Sequence, residues 1–359
     1  MKILILTSDF YPRIGGGENY ILNLAKQFSK QNEVHVLCPN ELDSGIKKIF
    51  GLTVHYLPYY KAFGNKFIKP SIISKNIKKI NPDIIYSSGP SIMDFFAVFL
   101  SKKFKKRSFL TYHADLDLNK LSSRIFTKLY FWLCLPQYDK IIVTTKKYQE
   151  ILKNRGITPK KMSIVPVGFE ITNKNRVNIF KDKKAKKLLF VGALDSQHLY
   201  KNLSTLIEAM NLLKEEGFEL SIVGDGDLRK KYQEQVEKSN LKNIKFLGKL
   251  KDKKLIREYK SSEIFILPSN SEKEGFGIVL LESLSLGCKI ITGEKSGGAY
   301  LINENPKIGK LYSGTKEDLS NKIRSLSHMK LDMKRISSIM DEYLWETISN
   351  KIYSEIIKK

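Results

Sequence analysis

The chain has 359 residues, 42% of them hydrophobic and 28% charged, which is typical of a globular protein of about two domains and excludes a disordered or fibrous one. Its three cysteines, Cys38, Cys134 and Cys288, are far apart, which suits a reducing compartment and argues against a disulfide framework or a zinc site. The formal net charge of +25 indicates either a polyanionic partner (nucleic acid, an anionic membrane or a phosphorylated small molecule) or a generally lysine-rich proteome.

The amino-terminal residues lead directly into a strand-like run, without the apolar region and cleavage site of a secretory leader. The longest apolar candidate, residues 95–100, is far shorter than the roughly 18 residues of a membrane span. It is followed at once by a basic run at 102–107. These features predict a cytosolic protein.

Short β-branched runs alternate with segments of helical periodicity through the first half of the chain. Strands are predicted at residues 2–7, 34–38, 54–57, 83–87, 108–113, 140–144 and 163–167. This alternation predicts a mostly parallel sheet with helices on both faces, in a first domain of residues 1–170.

A basic stretch at 171–187, poor in apolar residues, predicts an interdomain linker, and the alternation then restarts in a second domain, 188–339. We expect a C-terminal helix, 340–359, to pack back onto the first domain. Ligands bind beyond the carboxyl ends of the strands in doubly wound sheets, so two such domains facing each other would enclose a cleft. Strands are predicted in the second domain at 188–192, 220–224, 244–247, 264–268, 289–292 and 310–312, and helices at 203–214, 228–238 and 277–286.

The most informative stretch, residues 268–282, runs from the end of a predicted strand into a predicted helix. Gly275 and Gly277 flank Phe276 and let the backbone approach a ligand closely, and the amides at the helix start favour an anionic group. Glu274 and Glu282 supply carboxylates, which accept hydrogen bonds from sugar hydroxyls. Each residue alone is compatible with a structural role, but together they suit a ligand with hydroxyls at both ends and phosphate between.

This stretch resembles the retaining glycosyltransferases of family 4 (glycosyl transferases group 1), which have the GT-B fold of two doubly wound Rossmann-like α/β domains facing across a cleft. The resemblance covers almost the whole chain. It includes a glycine-rich loop at 12–18, a phosphate-binding segment at 191–192 and 201–202, and nucleotide-pocket segments at 223–226 and 246–248.

The resemblance implies a role for each matching residue. Glu282 would bind the ribose hydroxyls, Glu274 and the amides of 275–277 would orient the donor sugar, and Lys201 would neutralise the diphosphate. His113 would contact a donor hydroxyl or the reacting centre. No metal or organic cofactor is expected. The implied catalytic residues are Glu274, His113 and Lys201, and the implied donor-binding residues are Gly16, Gly17, Gly192, Lys201, Gly224, Gly226, Gly248, Gly275, Phe276, Gly277 and Glu282.

The chain departs from the family pattern at three places. Ala193 stands where many relatives have an arginine, with His198 or Arg229 as candidate replacements for that cation. Ala299 follows the glycine pair at 297–298 where many relatives have a glutamate, and residues 167–170 replace a more usual Asn-Gly. These differences leave the donor base and sugar open, with a UDP- or GDP-linked sugar as the expected donor.

Two segments of the first domain, 102–107 and 121–133, combine basic with large apolar residues. Interfacial membrane binding uses this combination, at about 1 kcal/mol per basic residue near an anionic surface. The alternative is a core helix with lysines on its solvated face. With the net charge, the pattern favours a cytoplasmic enzyme, peripheral on the membrane, that uses a nucleotide-sugar donor and a lipid-linked or glycan acceptor.

Three other functions fit parts of the sequence. A GT-B sugar-nucleotide epimerase would share the two domains, and a catalytically degenerate family member could serve as a polyanion- or membrane-binding partner subunit. A nucleic-acid-binding protein would explain the charge, but the basic residues are scattered and no nucleic-acid-binding motif is present. We therefore predict a hexosyltransferase without a nucleic-acid partner.

Overall fold

The computed structural model describes residues 1–12, 16–39, 45–62, 65–113, 126–169 and 183–358. It divides into two compact units. The first is Met1–Gly168 with Tyr343–Lys359, and the second is Phe169–Glu342.

An eight-stranded sheet forms the centre of the first unit, in the order β10-β9-β8-β7-β1-β2-β4-β3. Its neighbours are parallel except for the β3–β4 pair, and β5 and β6 form a separate antiparallel pair. The strands are β1 (Lys2–Leu6), β2 (Glu33–Pro39), β3 (Gly45–Ile49), β4 (Leu52–Leu57), β5 (Tyr60–Ala62), β6 (Asn65–Phe67), β7 (Ile84–Gly89), β8 (Arg107–Tyr112), β9 (Lys140–Val143) and β10 (Met162–Ile164). The helices are α1 (Gly16–Phe28), α2 (Pro70–Ile80), α3 (Ile92–Lys103) and α4 (Lys146–Asn154), with a π-helical turn at Tyr130–Cys134.

All seven strands predicted for the first domain are present. Their near-continuous apolar runs are buried on both faces, as expected for a parallel sheet covered by helices; residues 3–6 of β1 are wholly buried. The edge strand β3 was not predicted. Four of its five residues are exposed and two are lysines, so it lacks the apolar pattern of a buried strand.

The turn between β7 and α3 is fixed by a buried carboxylate. Asp94 forms a capping box with Ser91 and accepts a hydrogen bond of 2.7 Å from the Tyr130 hydroxyl. Burial raises the pKa of Asp94 to about 6. A side chain on Gly89 would overlap the Asp94 carboxylate, so the carboxyl end of β7 lies directly against the start of α3.

The second unit is built on a six-stranded parallel sheet with the order β13-β12-β11-β14-β15-β16. The order reverses between β11 and β14, which makes their carboxyl ends the topological switch point. The strands are β11 (Lys184–Val191), β12 (Glu219–Val223), β13 (Ile244–Gly248), β14 (Ser262–Leu267), β15 (Lys289–Gly293) and β16 (Gly309–Tyr312). The helices are α5 (Leu203–Leu212), α6 (Arg229–Lys238), α7 (Asp252–Ser261), α8 (Ile278–Ser285), α9 (Ala299–Glu304), α10 (Lys316–Ser327) and α11 (Met333–Glu342).

The predicted boundary between linker and second domain was wrong. Strand β11 begins at Lys184, so the last four residues of the predicted linker, 184–187, are strand. Three of these four residues are exposed and three are lysines, so the sequence carries no apolar signal there. Residues 171–182 of the predicted linker lie outside the described part of the chain.

The predicted C-terminal helix from residue 340 is interrupted. Helix α11 ends at Glu342 in the second unit, and a separate helix, α12 (Trp345–Ile357), belongs to the first unit. There Trp345 packs against Tyr20 of α1 with ring centroids 5.2 Å apart, and Arg107 donates a hydrogen bond of 2.8 Å to the carbonyl of Ile356. None of the helices in the described ranges combines the length and the hydropathy needed to cross a membrane.

Candidate donor-binding site

Lys201 and Glu274 meet at the switch point of the second unit. Lys201 ends a 3-10 turn, Ser196–Lys201, that follows β11, and Glu274 lies in the loop after β14. Lys201 Nζ is 3.0 Å from Glu274 Oε2, and the two side chains are only 14% and 9% exposed. The topology therefore joins two of the three predicted catalytic residues, 73 positions apart in sequence, in a nearly buried ion pair.

The two side chains considered as replacements for the missing arginine at Ala193, those of His198 and Arg229, contact other carboxylates. His198 Nδ1 is 2.6 Å from Asp195 Oδ1, and the Asp195 side chain also caps the start of the 3-10 turn. Arg229 Nη1 is 3.1 Å from Asp225 Oδ2 at the start of α6. His198 and Arg229 each contact an aspartate close in sequence, and neither of these contacts involves Lys201 or Glu274.

Backbone atoms form the floor beside this ion pair. The amide of Gly192 donates to the Val223 carbonyl at 3.0 Å, and the amide of Gly224 donates to the Gly248 carbonyl at 2.9 Å. Gly224 has φ +142°, and a side chain there would overlap the Gly192 carbonyl oxygen. The ends of β11, β12 and β13 are thus packed backbone to backbone, and the predicted donor glycines 192, 224 and 248 lie together, with Gly226 in the adjoining loop against Leu194.

The loop of residues 274–277 leads into α8. Gly277 precedes the helix with φ +74°, which glycine adopts readily, and Phe276 is buried. The amide of Gly297 donates to the Glu274 carbonyl at 2.9 Å, and a side chain on Gly297 would overlap the Gly275 carbonyl oxygen. The loop after β15 therefore packs against the loop that carries Glu274.

Glu282 lies on α8, about one and a half turns beyond Gly277, and is half-buried. Its Oε2 atom accepts a hydrogen bond of 3.0 Å from the Tyr259 hydroxyl. Burial raises the pKa of Glu282, and the hydrogen bond from Tyr259 opposes that rise. The sequence motif identified Glu282 but not Tyr259, which lies on α7, 23 positions earlier, and belongs to no local pattern.

In the first unit His113 directly follows β8. Its Nδ1 atom is 3.3 Å from Ser88 Oγ at the end of β7, and its ring lies 5.5 Å from that of Tyr20 on α1. A side chain on Gly17 would lie 3.5 Å from His113 Nε2, whereas one on Gly16 would meet no atom within 4 Å. Burial lowers the pKa of His113 to about 4, so its imidazole is neutral near pH 7.

Comparison with known families agrees with this arrangement. The family model Glycosyltransferase Family 4 matches residues 14–173, and the model Glycosyl transferases group 1 matches residues 171–340. The chain belongs to the group 1 glycosyltransferases. The prediction of family and fold is therefore confirmed: the two units are the Rossmann-like α/β domains of a GT-B glycosyltransferase.

Similar proteins match most or nearly all of the length of this glycosyltransferase. An uncharacterized glycosyltransferase of Methanocaldococcus jannaschii is 26% identical over 99% of both chains. A Campylobacter jejuni N-acetylgalactosamine-N,N'-diacetylbacillosaminyl-diphospho-undecaprenol 4-alpha-N-acetylgalactosaminyltransferase is 26% identical over 81% of both. Among solved structures, Anabaena HepE in complex with UDP has a TM-score of 0.75 at 17% identity, with 99% of both chains covered.

Proposed function

We propose that this glycosyltransferase moves a hexose or related sugar from a nucleoside diphosphate sugar to a lipid-linked or glycan acceptor, with retention at the anomeric carbon. The product would belong to a cell-surface polysaccharide, a glycolipid or a glycoprotein glycan, and no metal or organic cofactor would take part. The observation that carries the proposal is the Lys201–Glu274 ion pair beside a backbone floor at the switch point of the second unit.

The chemistry of sugar transfer explains why such a pair is useful. The leaving nucleoside diphosphate gains negative charge in the transition state, and a fixed cation stabilises that charge when water is excluded. Lys201 would supply the cation, and the amides at the start of α8 would add to it. Glu274 would accept hydrogen bonds from the donor sugar, and Glu282 from the ribose. For His113 we keep the role implied by the resemblance, a contact with a donor hydroxyl or the reacting centre.

Similar proteins support the donor and acceptor classes. HepE was crystallised with UDP, which favours a nucleotide-sugar donor. The Campylobacter relative is named for an acceptor linked through diphosphate to undecaprenol, which favours a lipid-linked acceptor. We propose the same donor and acceptor classes for this chain. The nucleotide base, the transferred sugar and the linkage formed are left open.

A calorimetric panel of UDP, GDP and ADP with their common sugar conjugates, in EDTA, tests the donor assignment. We expect one diphosphate to bind tightly and Glu282→Ala to weaken it by about 1–3 kcal/mol, because ribose hydroxyls lose their acceptor. Glu237→Ala, which removes an exposed carboxylate from α6, is the control and should bind like the wild type. Failure of every nucleotide to bind would instead favour a degenerate partner subunit.

Product analysis separates transfer from epimerisation. A transferase releases free nucleoside diphosphate, and a retaining one forms an α-linked product from an α-linked donor, whereas an epimerase changes a stereocentre of the sugar. Proton NMR of the anomeric signals follows both reactions. Inversion at the anomeric carbon would contradict the proposed retention.

We also propose that the enzyme acts at the cytoplasmic face of an anionic membrane. Trp132 is 76% exposed, and Leu129 and Leu133 on the same turn are also exposed. These residues adjoin Lys128, and Arg155 lies over the Phe131 ring at 4.2 Å, beside a cavity of about 1000 Å³. Exposed apolar and cationic groups together suit an anionic lipid surface. Residues 121–125 of the predicted segment lie outside the described chain.

Vesicle sedimentation tests this surface. Trp132→Ala should reduce binding to vesicles containing anionic lipid by about tenfold, because the exposed indole would no longer be buried in the interface. Ile46→Ala is the control, since Ile46 is exposed on β3 at the opposite edge of the sheet. Equal binding to neutral and anionic vesicles, or no binding by the wild type, would contradict the proposal.

A further inference from the structure

Glu282 is held by a residue that belongs to none of the family motifs. Tyr259, on α7, is 2% exposed, and its hydroxyl donates to one carboxylate oxygen of Glu282 at 3.0 Å. Burial and the nearby Glu282 carboxylate raise the pKa of Tyr259 well above its usual value, so the phenol remains a hydrogen-bond donor. This partly buried hydrogen bond links α7 to α8 within the second unit.

The backbone of Tyr259 is held in turn by two groups. Lys183 Nζ donates to the carbonyl of Tyr259 at 2.8 Å and to that of Ser262 at 2.7 Å. Cys288 Sγ donates to the Tyr259 carbonyl at 3.1 Å. These carbonyls lie at the C-terminal end of α7, where a cation complements the helix dipole. Tyr259 is therefore fixed at its backbone as well as at its hydroxyl.

A fixed carboxylate recognises a diol better than a mobile one. The Glu282 side chain has three rotatable bonds, and each rotamer lost on binding weakens the complex. The hydrogen bond from Tyr259 occupies one lone pair of Oε2, which leaves Oε1 and the remaining lone pair for two ribose hydroxyls.

We infer that Tyr259 is a positioning residue for ribose recognition: it fixes the Glu282 carboxylate so that the site selects ribonucleoside over 2′-deoxyribonucleoside diphosphates. The inference rests on the proposed function, because Glu282 must be the residue that binds the ribose. Beyond that function, it assigns to Tyr259 the orientation of the Glu282 carboxylate. It also predicts that the preference for ribose over 2′-deoxyribose depends on Tyr259.

A double-mutant cycle tests the inference. Affinities for UDP, GDP and their 2′-deoxy forms are measured for the wild type, Tyr259→Phe, Glu282→Gln and the double variant. In the wild type the ribose form should bind at least about tenfold more tightly. Tyr259→Phe should remove most of this preference and leave the affinity for the 2′-deoxy form within about twofold. In the Glu282→Gln background Tyr259→Phe should change nothing further, because the two residues act as one unit.

A matched control separates positioning from general damage. Tyr232→Phe removes the hydroxyl of another buried tyrosine of the same unit, on α6, and should keep the ribose preference. A loss of stability in Tyr259→Phe would weaken both forms of the nucleotide alike and leave the preference intact, so the ratio of the two affinities reports positioning alone.

The failures of the inference and of the proposed function are distinct. If Glu282→Gln abolishes the ribose preference and Tyr259→Phe keeps it, the positioning role is wrong and the donor site stands. If the wild type shows no preference, or binds neither UDP nor GDP, the assignment of Glu282 to the ribose is wrong and the inference falls with it.

Discussion

Replacement of Lys201 by methionine should lower kcat/KM by about 10²–10³-fold, the usual effect of losing one fixed group that stabilises developing charge. Methionine keeps most of the length and apolar stem of the side chain, so the change removes the ammonium group with little loss of packing. The loss should fall mainly on kcat, because the charge on the leaving diphosphate grows in the transition state. Steady-state kinetics with the donor identified by the binding panel measure the effects on kcat and on KM separately.

The same substitution should destabilise the second unit. Glu274 would be left as a nearly buried charge without its partner, at a cost of about 3–5 kcal/mol. The double variant Lys201→Met/Glu274→Gln removes both charges and should recover much of that stability without recovering turnover. This pair of variants therefore separates the catalytic contribution of the ion pair from its structural one.

A second ion pair in the same unit provides the control. Lys289 Nζ is 2.7 Å from Glu263 Oε1, and these side chains are 9% and 15% exposed, close to the values for Lys201 and Glu274. Both residues lie at the amino ends of their strands, at the edge of the sheet opposite the candidate site. Lys289→Met should lose comparable stability and keep kcat/KM within about threefold of the wild type. Equal loss of turnover in both lysine variants would mean that Lys201 acts only through stability.

The sequence predicts the parts of this fold that depend on local patterns. Apolar runs mark the strands of both sheets because parallel strands are buried on both faces. The strands of the doubly wound order 3-2-1-4-5-6 bring the loops after β11 and β14 to one place, so the meeting of Lys201 with Glu274 is a consequence of topology. The sequence motifs around Lys201 and around Glu274 could each be recognised. The ion pair between the two residues could not be predicted from the sequence.

Features that depend on contacts distant in sequence were not predictable. Tyr259 lies on an ordinary amphipathic helix, and only the three-dimensional structure reveals its hydrogen bond to Glu282 on α8. Likewise, the start of β11 is a lysine-rich, largely exposed segment whose strand conformation comes from pairing with β12 and β14. In both cases the tertiary neighbours decide the structure, and the local residues carry no signal for it.

Gly224→Ala should destabilise the second unit by more than about 3 kcal/mol and abolish nucleotide binding. Gly224 has φ +142°, which alanine rarely adopts, and the added methyl group would overlap the Gly192 carbonyl oxygen. The clash involves backbone rather than a flexible side chain, so it can be relieved only if the end of β11 moves away from that of β12. Such a movement would displace the floor that lies beside Lys201.

Gly217→Ala is the control that separates the steric clash expected in Gly224→Ala from the strain of a positive φ. Gly217 also has a positive φ, +74°, but the nearest atom to an added methyl group is 4.0 Å away, so only the backbone strain of about 1 kcal/mol remains. Far-UV circular dichroism during urea unfolding reports both units, whereas tryptophan fluorescence reports the first, because Trp132 and Trp345 both lie there. We expect Gly224→Ala to lower the circular dichroism midpoint well below that of Gly217→Ala and to leave the fluorescence transition unchanged. Equal midpoints for the two alanine variants would contradict the backbone-to-backbone packing of β11, β12 and β13 on which the proposed diphosphate site depends.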